Sequence, residues 1–352
     1  MPPIDLRAGA AVMAGRLAGV VSRRLGRGGG TALPGLISER IDPDLLRHLA
    51  AQLPQGAIVV TGTNGKTTTS HMLAGILTRA GMQPLRNASG SNLARGIATT
   101  LASRSDPLGR LGSSPVTVGL FETDEAAFGR VVPAVHPRTV VVTNLFRDQL
   151  DRYGEVDTVA SVWRQALQKE RTDSAHNPAS LPPTLVLNAD DPTVASLGNA
   201  FGERAGGGDT IYFGIDDPRH GRPGPEHASD AKVCPACGGL LSYPVCYYGH
   251  LGHYECANGH RRPTPQISVR RLEIRGFEGT DLTIESPLGS IDIRLPLPGL
   301  YNVYNALAAA AGALCAGVTL EAIKGGLERF TAAFGRLERV PVDGKTVHLV
   351  LA

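Results

Sequence analysis

Residues 58–69 read Ile-Val-Val-Thr-Gly-Thr-Asn-Gly-Lys-Thr-Thr-Thr, an apolar run that breaks into a Gly-rich turn and ends in Gly-Lys-Thr. A helical pattern, Thr-Thr-Ser-His-Met-Leu-Ala-Gly-Ile-Leu, follows at once. Strand, glycine turn and helix in that order make a cradle for a nucleoside triphosphate: loop N–H groups and the helix N-terminus face the phosphates. The expected loop is Gly62, Thr63, Asn64, Gly65, Lys66, Thr67 and Thr68. Lys66 is expected to neutralise the β/γ oxygens and the Thr67 hydroxyl to hold Mg²⁺. The strict P-loop spelling places glycine six residues before the lysine, where this chain has Val60; Gly62 comes two residues later. The expectation is a chain that spends or senses ATP.

At 352 residues the chain exceeds what one core usually organises, and its 42% hydrophobic content is ample for real cores. A formal charge of +3 is too small to argue for nucleic acid. No apolar run reaches membrane-span length, so no transmembrane segment is expected. The stretch at 8–21 is apolar but interrupted by Arg16 and lacks a cleavage site, which argues against a signal peptide. It reads as a surface helix with a linker at 26–30, basic enough through Arg7, Arg16, Arg23, Arg24 and Arg27 to lie near an anionic membrane. A cytoplasmic protein, with the inner membrane face as a place of action, is the expectation.

Four of the five cysteines fall between positions 234 and 256. Cytosolic disulfides are rare, and Cys234-Pro-Ala-Cys237-Gly is a knuckle whose two thiolates suit one Zn²⁺. Cys256-Ala-Asn-Gly-His260 supplies a second arm. Together these form a Cys₃His set consistent with a structural zinc ribbon, with Cys246 competing against His260 for the fourth place. His250 and His253 read as ordinary hairpin residues, and Cys315, in an alanine-rich stretch, reads as buried helix packing.

The rest of the chain supports an α/β nucleotide domain with a mostly parallel sheet flanked by helices. A short helix is expected at 42–53 and one at 67–80, with buried strands at 58–60, 116–121, 140–143 and 185–187. The strand at 116–121 runs into Glu122-Thr-Asp124-Glu125, placing carboxylates at the rim where open α/β sheets bind ligands. Glu122 is the expected carboxylate for a hard cation. After the ribbon, residues 267–274, 282–285 and 291–295 alternate as antiparallel strands of a small β meander. Asn302 and Asn305 then sit one turn apart on an alanine-rich helix, where two amides can read an adenine edge or Asn302 can cap the helix.

The loop at 62–68, Glu122, Thr-Asn-(x)₃-Asp148-Gln-Leu-Asp, Asn188-Ala-Asp-Asp-Pro, Pro-Gly-(x)₂-Asn302-(x)₂-Asn305-Ala-Leu-Ala and Phe334-Gly-Arg336-Leu-Glu together resemble the central domain of the Mur ligases. The resemblance runs from about Leu36 to the end. The segment Leu-Phe-Arg-Asp-Gln-Leu-Asp-Arg-Tyr-Gly-Glu and the ribbon insertion look, more narrowly, like the MurT-type synthetase subunits of lipid II isoglutaminyl synthases. That resemblance implies ATP-dependent activation of the α-carboxyl of the stem-peptide glutamate as an acyl phosphate. Ammonia from a GatD-like glutaminase, bound as a heterodimer, then leaves isoglutamine on lipid II. By motif position it implies Lys66 and Thr67 on phosphates and Mg²⁺, Glu122 on Mg²⁺, Asn302 and Asn305 on adenine and Arg336 on the nucleotide. The implied domains are an N-terminal helix and linker at 1–35, the ATP-binding domain at 36–333 with the ribbon at 228–265 inside it, and the start of a C-terminal domain at 334–352.

Departures from the wider Mur pattern qualify these expectations. Amino-acid-adding members carry histidine where this chain has Gln149, and a lysine on the next helix that becomes carbamylated; residues 161–170 offer only Arg164 and a late Lys169. The ribbon is Cys₃His where relatives usually have four cysteines. The chain ends as a strand begins, so a truncated protein that binds ATP without amidating is expected. The competing reading is a Mur or folylpolyglutamate-type ligase that uses an amino acid in place of ammonia.

Overall fold

In the strand Ala57–Thr61 every residue is buried, yet the side chains divide between two layers. Ile58 and Val60 pack into one core while Ala57 and Val59 pack into another. Burial on both faces explains why these strands read as continuous apolar runs. The computed structural model describes residues 6–24, 32–87, 91–147, 155–176, 181–201, 210–224, 230–331, 337–342 and 345–350.

Within them the order is α1 (Leu6–Arg24), α2 (Ala32–Ile41), α3 (Leu45–Ala50), β1 (Ala57–Thr61), α4 (Lys66–Arg79), β2 (Gln83–Arg86), α5 (Ala94–Arg104) and β3 (Thr117–Glu122). Then come α6 (Phe128–Val135), β4 (Thr139–Val142), α7 (Glu155–His176), β5 (Thr184–Asn188), α8 (Pro192–Phe201) and β6 (Thr210–Ile215). The hairpin β7 (Leu241–Tyr248) and β8 (Leu251–Cys256) precedes β9 (Ile267–Ile274), β10 (Thr280–Ser286) and β11 (Gly289–Leu295). Helices α9 (Leu300–Cys315) and α10 (Leu320–Glu328) and the strands β12 (Leu337–Val342) and β13 (Lys345–Val350) complete the chain.

Nine strands form one sheet in the order β11-β10-β9-β6-β5-β4-β1-β3-β2. The strands from β2 to β9 pair in parallel, and β9, β10 and β11 pair antiparallel. The expected meander is therefore the edge of the main sheet, joined to it by the parallel pairing of β6 with β9. From β1 the chain first goes out to the edge strand β2, returns to β3 between β2 and β1, then crosses to β4 on the other side of β1. That reversal leaves a crevice at the carboxyl end of β1, the place where such sheets bind ligands.

One face is covered by α4, α9 and α10, through Leu73, Ile76, Val303, Leu307 and Leu327. The opposite face carries α1, α3, α5, α6, α7 and α8, with Trp163 and Phe128 in tilted ring contact 5.3 Å apart at its centre. The alanines of α9 let it lie close to the sheet: a Cβ added at Gly312 would meet Val141 at 3.1 Å and Leu73 at 3.3 Å. Each large side chain buried this way stabilises the fold by roughly 1.5–3 kcal/mol.

The expected elements fall within a few residues of their places, with two refinements. The helix read at 42–53 is shorter, because Asp42 is a buried turn residue whose carboxylate accepts from Asp44 N at 3.1 Å and meets His48 Nδ1 at 3.0 Å. The N-terminal helix is more than a surface element, for Ala8, Ala11 and Val12 are buried against the second core. The linker at 26–30 lies outside the described residues.

Candidate functional site

The Gly-rich loop is built where β1 ends, and its glycines are required by their neighbours. Gly62 has φ +133° and a Cβ there would overlap the Thr143 hydroxyl; Gly65 has φ +81° and a Cβ would overlap the Asn305 carboxamide oxygen. Positive φ and close approach both favour glycine. The loop is held from the end of β4: Thr63 N donates to Asn144 O at 3.0 Å, Asn64 N to Asn144 Oδ1 at 2.9 Å, and Thr143 Oγ1 to Asn64 O at 2.8 Å. Gly65 is the residue before α4, so Lys66, Thr67 and Thr68 form its first turn with their N–H groups directed out of its N-terminus.

Lys66 Nζ donates to Gly62 O at 2.5 Å and Thr63 O at 3.1 Å and pairs with Glu125 Oε1 at 3.1 Å. Thr67 Oγ1 donates to Glu122 Oε1 at 2.9 Å. Asn87 fixes Glu122 in turn, accepting its N–H at 3.0 Å and donating to its carbonyl at 2.9 Å. Arg86 is half-buried beside it; burial lowers the guanidinium pKa while the Glu122 charge opposes that shift. A hydroxyl and a carboxylate within hydrogen-bond reach, beside the Gly-rich loop, fit the oxygen preference of Mg²⁺.

Asn302 and Asn305 are both buried near the start of α9; Thr69 Oγ1 of α4 donates to Asn305 Oδ1 at 3.3 Å, and that oxygen stands against Gly65 of the loop. Asn302 does not cap the helix. Gly299 holds that position, and Asn302 Nδ2 donates to Pro298 O at 2.8 Å. Arg336, together with Asp148, Gln149 and Asp151, lies outside the described residues. Lys169 is exposed on α7.

The ligand atoms of Cys234, Cys237, Cys256 and His260 all lie within 4.8 Å of one another. Cys237 Sγ is 3.8 Å from Cys256 Sγ, and Cys256 Sγ is 3.5 Å from His260 Nδ1. Ligands about 2.3 Å from a tetrahedral Zn²⁺ stand roughly 3.8 Å apart, so the donor set fits that ion in chemistry and spacing. A side-chain hydrogen bond from Asn258, helped by the Gly239 N–H, lowers the Cys237 thiol to about 6, while burial raises that of Cys234. Cys246 is fully buried on β7, with its Sγ directed to Gly249 O at 3.4 Å. Cys315 is half-buried at the C-terminal end of α9.

A buried polar cluster beside the loop was not apparent from sequence. Asp190 accepts from Tyr304 Oη at 2.7 Å and Ile215 N at 2.8 Å and is ion-paired with Arg262 Nε; Arg262 also reaches Asp216 at 2.8 Å. Asp191 accepts from Leu145 N at 2.8 Å and, at the N-terminus of α8, from Thr193 N at 2.9 Å. His250, expected to be an ordinary hairpin residue, is fully buried with Nε2 3.2 Å from Asp191 Oδ2. The signal available was the pair of aspartates in Asn188-Ala-Asp-Asp-Pro; their partners lie far along the chain.

Residues 60–222 match the model of the Mur ligase middle domain. The chain is 34% identical to the lipid II isoglutaminyl synthase (glutamine-hydrolyzing) subunit MurT of Streptococcus pneumoniae (strain ATCC BAA-255 / R6), over 99% of this chain and 71% of that protein. The chain belongs to the MurT family. The MurT subunit of Staphylococcus aureus (strain COL) is 31% identical, over 99% of this chain and 72% of its own. This MurT-family chain is also similar to a solved pseudomurein peptide ligase type C from Methanothermus fervidus, with a TM-score of 0.62 and 27% identity, covering 84% of this chain and 53% of that one. MurF from Acinetobacter baumannii has the same fold, with a TM-score of 0.60 at 21% identity over 88% of this chain and 52% of its own. The chain thus spans about half the length of these two solved structures. MurT and Mur ligase proteins are ATP-dependent ligases of peptidoglycan synthesis, and the sheet and loop of this MurT-family member are built to that plan. Among the described residues, no helix is long and apolar enough to cross a membrane.

Proposed function

We propose that this chain is the synthetase subunit of a glutamine-hydrolysing amidoligase that converts the α-carboxyl of the stem-peptide glutamate of lipid II to isoglutamine. Its partner in this reading is a GatD-like glutaminase bound as a heterodimer, acting at the cytoplasmic face of the membrane. The observation that carries the reading is the convergence of Lys66 with the Thr67–Glu122 pair at one crevice. The MurT likeness along nearly the whole chain points to ammonia as the second substrate.

A carboxylate is a poor electrophile. In the proposed reaction one of its oxygens attacks the γ-phosphorus in line, ADP departs, and the acyl phosphate forms; ammonia then attacks the acyl carbon and phosphate leaves. Lys66 and the first-turn N–H groups of α4 hold the charge that develops on the phosphoryl oxygens. Thr67 and Glu122 would hold Mg²⁺, which supplies charge neutralisation between the phosphates. Asn302 and Asn305 are the proposed adenine contacts and Arg336 a further nucleotide contact. Cys234, Cys237, Cys256 and His260 would hold a structural zinc that stiffens the ribbon. Residues 1–35, 36–333, 228–265 and 334–352 are the proposed domain divisions.

The test combines the gene product that carries this chain with the glutaminase, glutamine, ATP, Mg²⁺ and lipid II. Amidated lipid II formed one for one with ADP is the expected result. Glutamine hydrolysis without amidation sinks the reading, and addition of an amino acid to the same carboxyl replaces it with the ligase alternative.

A further inference from the structure

Thr63 lies in the phosphate loop, and its side chain is engaged by a single residue of the loop that follows β4. Phe146 N donates to Thr63 Oγ1 at 2.9 Å, and Thr63 Oγ1 donates to Phe146 O at 3.1 Å. The Phe146 ring points the other way, onto the tip of the β7–β8 hairpin. It stacks on Tyr248 with centroids 5.9 Å apart and planes 8° apart, and it meets the His250 ring at 4.4 Å. Gly249 between them has φ +59°, and a Cβ there would come within 2.7 Å of Phe146.

The tip is anchored on both sides of this contact. Asp191 accepts from Leu145 N and faces His250 Nε2, so one carboxylate ties the Phe146 loop and the hairpin together. Tyr248 also packs edge-on against Tyr304 at 5.8 Å, next in sequence to Asn305, whose carboxamide oxygen stands against Gly65 of the loop. Gly252 N donates to Asp190 O at 2.9 Å, adding the hairpin backbone to the same cluster. Packed rings joined to hydrogen-bonded backbone make a contiguous route along which one element can bias another.

We infer that the tip of the ribbon hairpin, Tyr248-Gly249-His250, is a positioning element for the nucleotide loop: it seats Phe146, and Phe146 seats Thr63. The inserted ribbon thereby sets nucleotide affinity without touching the nucleotide. This rests on reading residues 62–68 as the nucleotide loop. Because coupling between sites is reciprocal, a nucleotide on the loop must also tighten the hairpin.

The experiment measures ATP·Mg²⁺ affinity of the purified chain by calorimetry and amide exchange across residues 241–256 with and without ATP, with thermal unfolding of each variant as a folding control. Phe146→Ala and Tyr248→Ala are expected to weaken ATP binding about fivefold or more, the lower end of usual coupling strengths, while the unfolding transition persists. Tyr248→Phe, which keeps the ring, is expected to restore affinity. ATP should slow hairpin exchange in the parent chain and not in Phe146→Ala. Unchanged affinity in both alanine variants, or hairpin exchange indifferent to ATP in a parent chain that binds it, overturns the inference. Lys66→Ala separates the two readings: if the parent chain fails to bind ATP, or Lys66→Ala binds as well as the parent, the nucleotide reading itself fails and this one falls with it.

Discussion

Lys66 Nζ lies 3.1 Å from Glu125 Oε1, and both side chains are largely shielded from solvent. The ammonium proposed to meet phosphate is thus held by a carboxylate from the loop after β3. A triphosphate entering the loop must share or displace that partner, and the Glu125 charge opposes its approach. Glu125→Gln is therefore expected to raise ATP affinity about fivefold, equivalent to ~1 kcal/mol of charge interaction at a partly shielded site. Equilibrium binding decides it; equal or weaker affinity removes the competition.

Glu122 faces the Thr67 hydroxyl at 2.9 Å and is fixed through its backbone by Asn87. Glu122→Ala should lower ATP turnover by about 10²-fold, the usual loss when one electrostatic stabiliser is removed. Its Mg²⁺ requirement should rise in parallel. A turnover curve against Mg²⁺ that superimposes on the parent would place the cation elsewhere.

The four ribbon ligands predict about one zinc per chain, as a closed Cys₃His set implies. Cys256→Ser should lose the metal, whereas Cys246→Ser should keep it, since that sulfur is directed to Gly249 O. Metal analysis of both variants reads the outcome. Zinc lost from Cys246→Ser and kept by Cys256→Ser would reverse the assignment.

Arg262 joins the ribbon to the parallel sheet through Asp190, which is fully buried. Removing one partner of such a pair leaves an uncompensated buried charge, so Arg262→Ala should cost ~3–5 kcal/mol. Denaturant unfolding gives the number. A loss below about 1 kcal/mol, the range of exposed pairs, would mean that the pair is solvated in solution.

Asp217 predicts the acid response. Hydrogen bonds from Arg219 hold its carboxyl at about 2, with burial opposing and the Leu272 N–H assisting. The folded value lies below the ~3.9 of an unfolded aspartate, so its stabilising contribution is complete above that value and disappears as pH falls through about 2. Asp217→Asn should flatten the decline of stability between about pH 4 and 2, in unfolding curves taken across that window. An unchanged slope would assign the decline to other carboxylates.

Local order carried much of this molecule. The apolar run into Gly-Thr-Asn-Gly-Lys-Thr placed β1, the loop and α4, because side-chain periodicity and the conformational freedom of glycine act between near neighbours. The two knuckles, Cys234–Cys237 and Cys256–His260, were legible for the same reason, while the pairing of β7 with β8 is what brings one to the other. The edge strand β2 was not legible, for Gln83–Arg86 is half-exposed and contains Pro84.

What only the tertiary structure decided is how these pieces meet. That Glu125 occupies Lys66, that β9 joins the parallel sheet instead of standing apart, and that His250 is buried on Asp191 depend on contacts between residues 50 or more positions apart. Residue type and local spacing constrain what a segment can form and which ions it suits. Which carboxylate faces which cation is set by chain crossovers and by the need to pair every buried polar group, and neither is written in a short stretch of sequence.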